Sequence, residues 1–452
     1  MTTANIPRTL GLADLVLLGT VAIVNVNIVP AVAQFGRATL ALWLIAWAAF
    51  FVPEAIAVRA LSLRYPGEGG VYLWARRHFG DFHGFLSGWC YWTNNLFYVP
   101  VLLVYLSGVI AYAGGPRTAT LIDEQWFVAT LAFGWLTLMT LANIRGMGVG
   151  KWINNIGAVG SLLTVALLVV AAVIARSQGA VGEPAAIEGS AVHIASGLSV
   201  MCFAFIGVEL AATMADEIRN PERDMPRAIV ITGVIALLSY LLATFALLTL
   251  VPAGQLGAIQ GVMQGVSQGA TAAGAGWVVA PIAIVMAISI AGAASAWFAG
   301  PARIPFVAGM DHALPPVLGR VHPRWGSPHI ALITCAVISA ALTALSLFGS
   351  TVAEAYEMLL RATVVINLVP FVYLFVALAT LDSANLARRA AGIVGAVVTG
   401  GGMVAAFVPS DEVANVAVFE LKMGAAVGGL VAAGLLLYSR TRNKERRRKN
   451  GT

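Results

Sequence analysis

Apolar runs of about twenty residues recur along the whole chain, separated by short stretches rich in glycine, proline and charge. A helix needs roughly 20 apolar residues to cross a bilayer. The pattern predicts about twelve spans, near 11–35, 39–62, 83–113, 125–143, 152–175, 193–214, 226–251, 276–307, 329–348, 354–380, 387–408 and 413–438. Two of them are interrupted: "LLGTVAIVNVNIVP" places Asn25 and Asn27 inside the first, and "FAFIGVE" places Gly207 and Glu209 inside the sixth. A charge at mid-bilayer costs roughly 2.5 to 3.5 kcal/mol on insertion scales, so Glu209 is expected to serve a task. Broken helices five spans apart point to two inverted five-helix repeats with substrate bound at the breaks. Unwound carbonyls and half-helix ends can partner a small zwitterion there. The alternative is a glycine-tolerant packing helix with a water-solvated Glu209.

With 59% hydrophobic and 11% charged residues and a mean hydropathy of +0.85, the composition is that of a polytopic membrane protein. A soluble globule carries about a quarter charged residues. Cys90, Cys202 and Cys335 lie in different apolar segments, a spacing that suggests neither disulfides nor a metal cluster. Most of the 27 Lys and Arg fall in loops on one side, with Arg37, Arg117 and Arg176 on the other, which sets both termini in the cytoplasm. The first span lacks the layout of a cleaved signal and is expected to persist in the mature chain. The basic "RTRNKERRRKN" reads as a solvated tail attracted to anionic lipid, not as a nucleic-acid site. "GMGVGKW" around Lys151 is not a phosphate-cradling loop, and the six histidines form no HExxH, so neither ATP, a metal nor another cofactor is called for. Transport, sensing and conduction remain. A channel needs a continuous polar file, whereas the polar residues here cluster at two breaks; a sensor usually carries a longer tail than the fourteen residues after Tyr438.

Three stretches carry a family likeness. "FAFIGVELAATMADEIRNPERDMPRAI" resembles the sixth-helix signature and following loop of the amino acid, polyamine and organocation transporters. "YPGEGGVYLWARRHFGDFHGFLSGWCYW" is similar to that family's loop between spans two and three, and "GPARIPFVAGMDHALPPVLGRVHPRWGSPH" to the one between spans eight and nine. Through "SAWFAGPAR", "GVMQ" and "FVPEAIAV" the nearest likeness within the superfamily is to bacterial glutamate and GABA antiporters. The resemblance implies an all-α LeuT-like fold of about twelve transmembrane helices. It is a 5+5 inverted-repeat core over 11–380 with discontinuous helices 1 and 6, peripheral helices over 381–438, and cytoplasmic tails at 1–10 and 439–452.

Carried onto this chain, the resemblance implies that the carbonyls of Phe203, Ala204 and Ile206, beside Gly207, receive a substrate amino group, with Phe203 as the aromatic wall. Trp297 matches a pocket aromatic and Tyr91 a gating tyrosine, although both could be interface anchors. Where relatives carry a glycine-rich turn in span one, this chain has Ile23, Val24 and Asn25, and two β-branched residues disfavour a tight turn. Asn25 and Asn27 could unwind the helix and donate to a carboxylate, or simply hold helix to helix. Span five has Gly160 and Ser161 where some proton-coupled relatives carry a lysine, which weights exchange over symport. Arg361 falls in register with a substrate-contacting position, and Glu357 one turn before it offers a structural ion pair instead. Glu209, Tyr91 and Glu357 are thus expected as gating or proton-coupling groups. The function implied is alternating-access exchange of acidic or neutral amino acids in the cytoplasmic membrane. Proton-coupled symport of amino acids or amines, and nutrient sensing, are the alternatives.

Overall fold

A computed structural model describes residues 9–67, 69–177, 179, 191–252, 255–257, 259–310, 314–347, 351–382, 385–408 and 416–450. The tail before residue 9, with Arg8, and the side chains of Lys151 and of residues 443–450 lie outside what is described. The described chain is almost wholly helical, and its one β contact is a bridge between Leu10 and Ile218.

Among the described residues, ten helices are long and apolar enough to cross a membrane: Leu12–Ala33, Ala38–Arg64, Asp81–Ala113, Gln125–Ile144, Trp152–Ser177, His193–Ala215, Pro221–Leu250, Gly276–Pro305, Glu354–Leu381 and Phe419–Arg442. A shorter apolar helix, His329–Leu345, falls where the ninth span is expected. The helix Leu386–Ala405 falls where the eleventh is expected. Lipid-facing positions carry large apolar side chains, among them Leu138, Val173, Val230, Leu345 and Val397. Two boundaries differ from the sequence pattern. The seventh helix starts at Pro221, because proline suits a first helical turn and Asn220 precedes it in non-helical conformation. The last helix runs from Val416 to Asn450, so the basic tail continues the twelfth span as helix.

The first and sixth spans are broken. The first is helical over Leu12–Ile23, passes through Val24 (φ −73°, ψ 74°) and Asn25 (φ −98°, ψ 82°), and resumes as a 3₁₀ turn at Val26–Ile28 and a short helix Val29–Ala33. This break is made of residues with negative φ, which β-branched side chains tolerate. The sixth is helical over Ala191–Ala204 and becomes a 3₁₀ stretch, Val208–Glu217, after a turn at Gly207. Gly207 has φ 149°, and a Cβ there would lie 2.8 Å from Ile23 Cγ1 and 3.1 Å from Ala22 Cβ. Glycine is required both for the backbone and for the close approach of the two breaks.

Other spans brace this centre. The fifth and eighth cross at Gly157 and Gly292, where an added Cβ on Gly157 would meet Gly292 Cα at 2.6 Å. One turn along, Ser161 Oγ lies 2.6 Å from Ser289 Oγ, and backbone of the eighth span stands 3.2 Å from any Cβ added at Gly160, so a side chain at Gly160 would be tight against that span. At the end of the core that carries the N-terminal segment, Leu10 N donates to Glu217 O (3.0 Å), and the buried Arg303 guanidinium pairs with the Glu217 carboxylate.

Candidate functional site

Carbonyls released by the two breaks find side-chain donors within the first span and from other spans. Asn25 Nδ2 donates to Ala22 O at 2.7 Å, and Trp297 Nε1 donates to the same oxygen at 3.0 Å. Tyr240, in the seventh span, links both breaks. Its hydroxyl lies at Ile23 O and 3.0 Å from Ala204 O, and accepts the Asn25 N–H at 3.3 Å. Its ring stacks on Trp43 with centroids 4.1 Å apart and planes 3° from parallel. Phe203 O accepts Ile206 N–H at 3.0 Å within the turn.

Facing these groups is an aromatic and hydroxyl wall. The Tyr98 ring meets Phe203 edge-on at 5.2 Å and Trp297 at 5.7 Å. Tyr356 stands beside Asn27 and 6.2 Å from Tyr105 between ring centroids. Among the described residues no full hydrogen bond reaches Asn27 Nδ2 or the hydroxyls of Tyr98, Tyr105 and Tyr356, and all four are buried. An unsatisfied buried polar group costs roughly 1 to 3 kcal/mol, so such a cluster is suited to a polar ligand. The sequence pattern did not single out Tyr98, Tyr105, Tyr240 or Tyr356. The available signal was tyrosine deep within a span instead of at an interface.

Glu209 is fully buried beside the Gly207 turn. Tyr91 OH donates to its Oε1 at 2.8 Å and Gly207 N–H to its Oε2 at 2.8 Å. A second buried carboxyl, Glu54 of the second span, lies against Glu209 and Gly207. The sequence signal of Glu54 is the same as that of Glu209: a carboxylate in an apolar run.

Arg361 and Glu357 sit elsewhere. Arg361 Nε donates to Glu357 Oε1 at 2.8 Å, and its Nη1 to Ser196 Oγ at 2.8 Å and to the carbonyl of Val408. Among the described residues, the hydrogen bonds of Arg361 join the tenth span to the outer half of the sixth and the end of the eleventh, and none goes to a break. The expected site residues therefore fall into three groups. Ile23, Val24, Asn25, Asn27, Phe203, Ala204, Ile206, Gly207 and Trp297 meet at the breaks, Tyr91 and Glu209 meet beside them, and Glu357 and Arg361 form a separate ion pair.

A helical membrane protein with facing half-helices and buried polar groups at their breaks has the architecture of a secondary transporter. The chain matches the amino acid permease family over residues 10–439 and belongs to it. It is 25% identical, over 94% of each chain, to an uncharacterized transporter of Legionella pneumophila. It is 26% identical, over 75% of each chain, to the branched-chain amino acid permease BcaP of Bacillus subtilis. To the "Probable agmatine/putrescine antiporter AguD" of Lactococcus lactis it is 25% identical over 60% of this chain and 57% of that one. The protein is a multi-pass membrane transporter of the amino acid and amine permease class.

Proposed function

We propose that the protein exchanges neutral or acidic amino acids across the cytoplasmic membrane by alternating access, with both termini in the cytoplasm. In this reading, residues 11–380 are the transport core and 381–438 two peripheral helices. The reading rests chiefly on the convergence of Asn27 with the Tyr98, Tyr105 and Tyr356 hydroxyls at the broken spans. A substrate carboxylate is held by the Asn27 amide and these hydroxyls, its ammonium by the carbonyls of Phe203, Ala204 and Ile206, and its side chain by Phe203 and Trp297. Neutral side chains fit best, because Arg361 is engaged by Glu357, Ser196 and Val408 and would have to leave them to meet a second carboxylate.

An antiporter among the relatives supports exchange. Proton-coupled symport is the second reading, favoured by the proximity of Glu54 to Glu209. Counterflow in proteoliposomes with leucine, alanine, GABA, glutamate, arginine and putrescine tests the proposal. Exchange of neutral or acidic amino acids without net uptake is expected. Net uptake driven by a proton gradient favours symport, and exchange of putrescine or arginine alone overturns the substrate class. Saturable binding without movement of any of them leaves a sensor.

A further inference from the structure

Glu54 follows a π turn, Trp47–Phe51, and opens the helical segment Val52–Arg64 after Pro53. Such turns insert a residue into a helix and re-aim the side chains beyond it. Both Glu54 oxygens are buried, and among the described residues neither receives a hydrogen bond. They face the Glu209 carboxyl and the Gly207 N–H, whose bond goes to Glu209 Oε2. The donors at this place, Tyr91 O–H and Gly207 N–H, are thus both spent on Glu209.

Among the described residues no basic side chain acts on the pair. The titratable groups facing it are Tyr91 of the third span and Cys202 of the outer sixth. Of the basic residues on the packed elements, Arg361 is turned to Glu357 and Arg388 to Asp382, while Arg59, Arg64, Arg223, Arg227 and Arg389 are exposed. Seventh-span Tyr240 is engaged with the breaks. Two ionised carboxylates in contact without water repel strongly, whereas a single proton between them converts the contact into an O–H···O⁻ hydrogen bond.

We propose that Glu54 and Glu209 together form a proton-binding site, in which Glu54 carries the proton and donates it in a hydrogen bond to the Glu209 carboxylate while the sixth span is closed on the first. The proposal rests on the alternating-access reading. Binding adds one proton and takes the pair from two negative charges to one, which Tyr91 O–H and Gly207 N–H stabilise. Gly207 and Glu209 lie on the sixth span and Glu54 and Tyr91 on the second and third, so a movement of the sixth span against the other two changes the proton's hold. A cavity of about 220 Å³, lined among others by Arg59, Ser62, Tyr65 and Ala212, opens on the loop side of the pair. Ser62 on its wall lies about 12 Å along the helix from Glu54 at 1.5 Å per residue.

Two measurements with separate failures test this. Infrared spectroscopy of the purified protein without substrate is expected to show a protonated carboxyl band near neutral pH that disappears or shifts in Glu54→Gln, where no second carboxyl remains to share the proton with Glu209. A band absent from the unaltered protein, or unchanged in Glu54→Gln, overturns the proton site whatever the protein transports. In vesicles loaded with a pH dye and a counter-substrate, an imposed pH gradient is expected to collapse faster while the amino acid that shows counterflow is exchanged, and Glu54→Gln to lower that proton flux by about tenfold or more. Undiminished proton flux in a folded Glu54→Gln, or transport that requires sodium and moves no proton, also overturns it. If no amino acid is exchanged at all, the transport reading fails while the infrared result still stands. Glu54→Asp, which keeps the acid, is expected to retain the carboxyl band; its loss in a folded Glu54→Asp counts against the site.

Discussion

Tyr240→Phe isolates the link between the two breaks. Phenylalanine keeps the stack on Trp43 at 4.1 Å and the edge contact with Phe205 at 5.4 Å, so packing is largely conserved. What disappears is the hydroxyl at Ile23 O and Ala204 O and the acceptor for Asn25 N–H. Ile23 O still receives Asn25 N–H at 2.6 Å, whereas Ala204 O loses its side-chain donor. One orphaned buried carbonyl costs about 2 kcal/mol, the middle of the usual range. Because the link exists only while both breaks are held together, the loss falls on the closed conformation and shifts its population by about thirtyfold. Substrate affinity, read from intrinsic tryptophan fluorescence and from the half-saturation of counterflow, is expected to weaken by up to about that factor, with only a small change in melting temperature. Affinity and exchange within about twofold of the parent would refute the coupling role and reduce Tyr240 to a packing residue.

Gly207→Ala should abolish exchange in protein that still inserts, because a Cβ at φ 149° lies 2.8 Å from Ile23 Cγ1; exchange near the parental rate would show that the breaks separate easily. Arg361→Ala leaves the buried Glu357 carboxylate without its guanidinium, and breaking a buried pair typically costs about 3 to 5 kcal/mol. A large fall in melting temperature with no change in ligand ranking is expected, and a selective loss of glutamate competition in a stable variant would place Arg361 at the substrate. His78, in the loop helix Val71–Phe79, bonds Thr380 Oγ1 at 2.8 Å, and burial holds its imidazole below the usual 6.5. The unfolded chain therefore takes up this proton first, so the His78 contribution is full above 6.5 and is lost as pH falls through the lower folded value. Melting scans in detergent should show His78→Gln losing less stability than the parent on acidification, and parallel curves would refute that contribution.

How much of the centre was legible depended on whether its cause was local. The sixth break was legible because glycine with a positive φ has few other uses within an apolar run, and Gly207 occupies that conformation. At the first break, Ile23 and Val24 argued against a tight turn, and the chain unwinds instead through Val24 and Asn25 at negative φ. The β-branched residues constrained the shape of the break without preventing it. Tyr98 and Tyr105 are seven residues apart, two helical turns on one face of the third span, a spacing that marks a wall once the tyrosines are placed at depth. Read singly, either is an anchor. Glu54 was the hardest to recognise. Its depth and aim depend on a π turn that no residue pattern announces, and its partner lies on a span that approaches only after folding. The same cost that marked Glu209 as purposeful applies to Glu54 with greater force, since Glu209 has two donors and Glu54 has none among the described residues. A carboxyl retained at such a place is best explained by what it shares with its neighbour, and a proton is the smallest ligand that satisfies both.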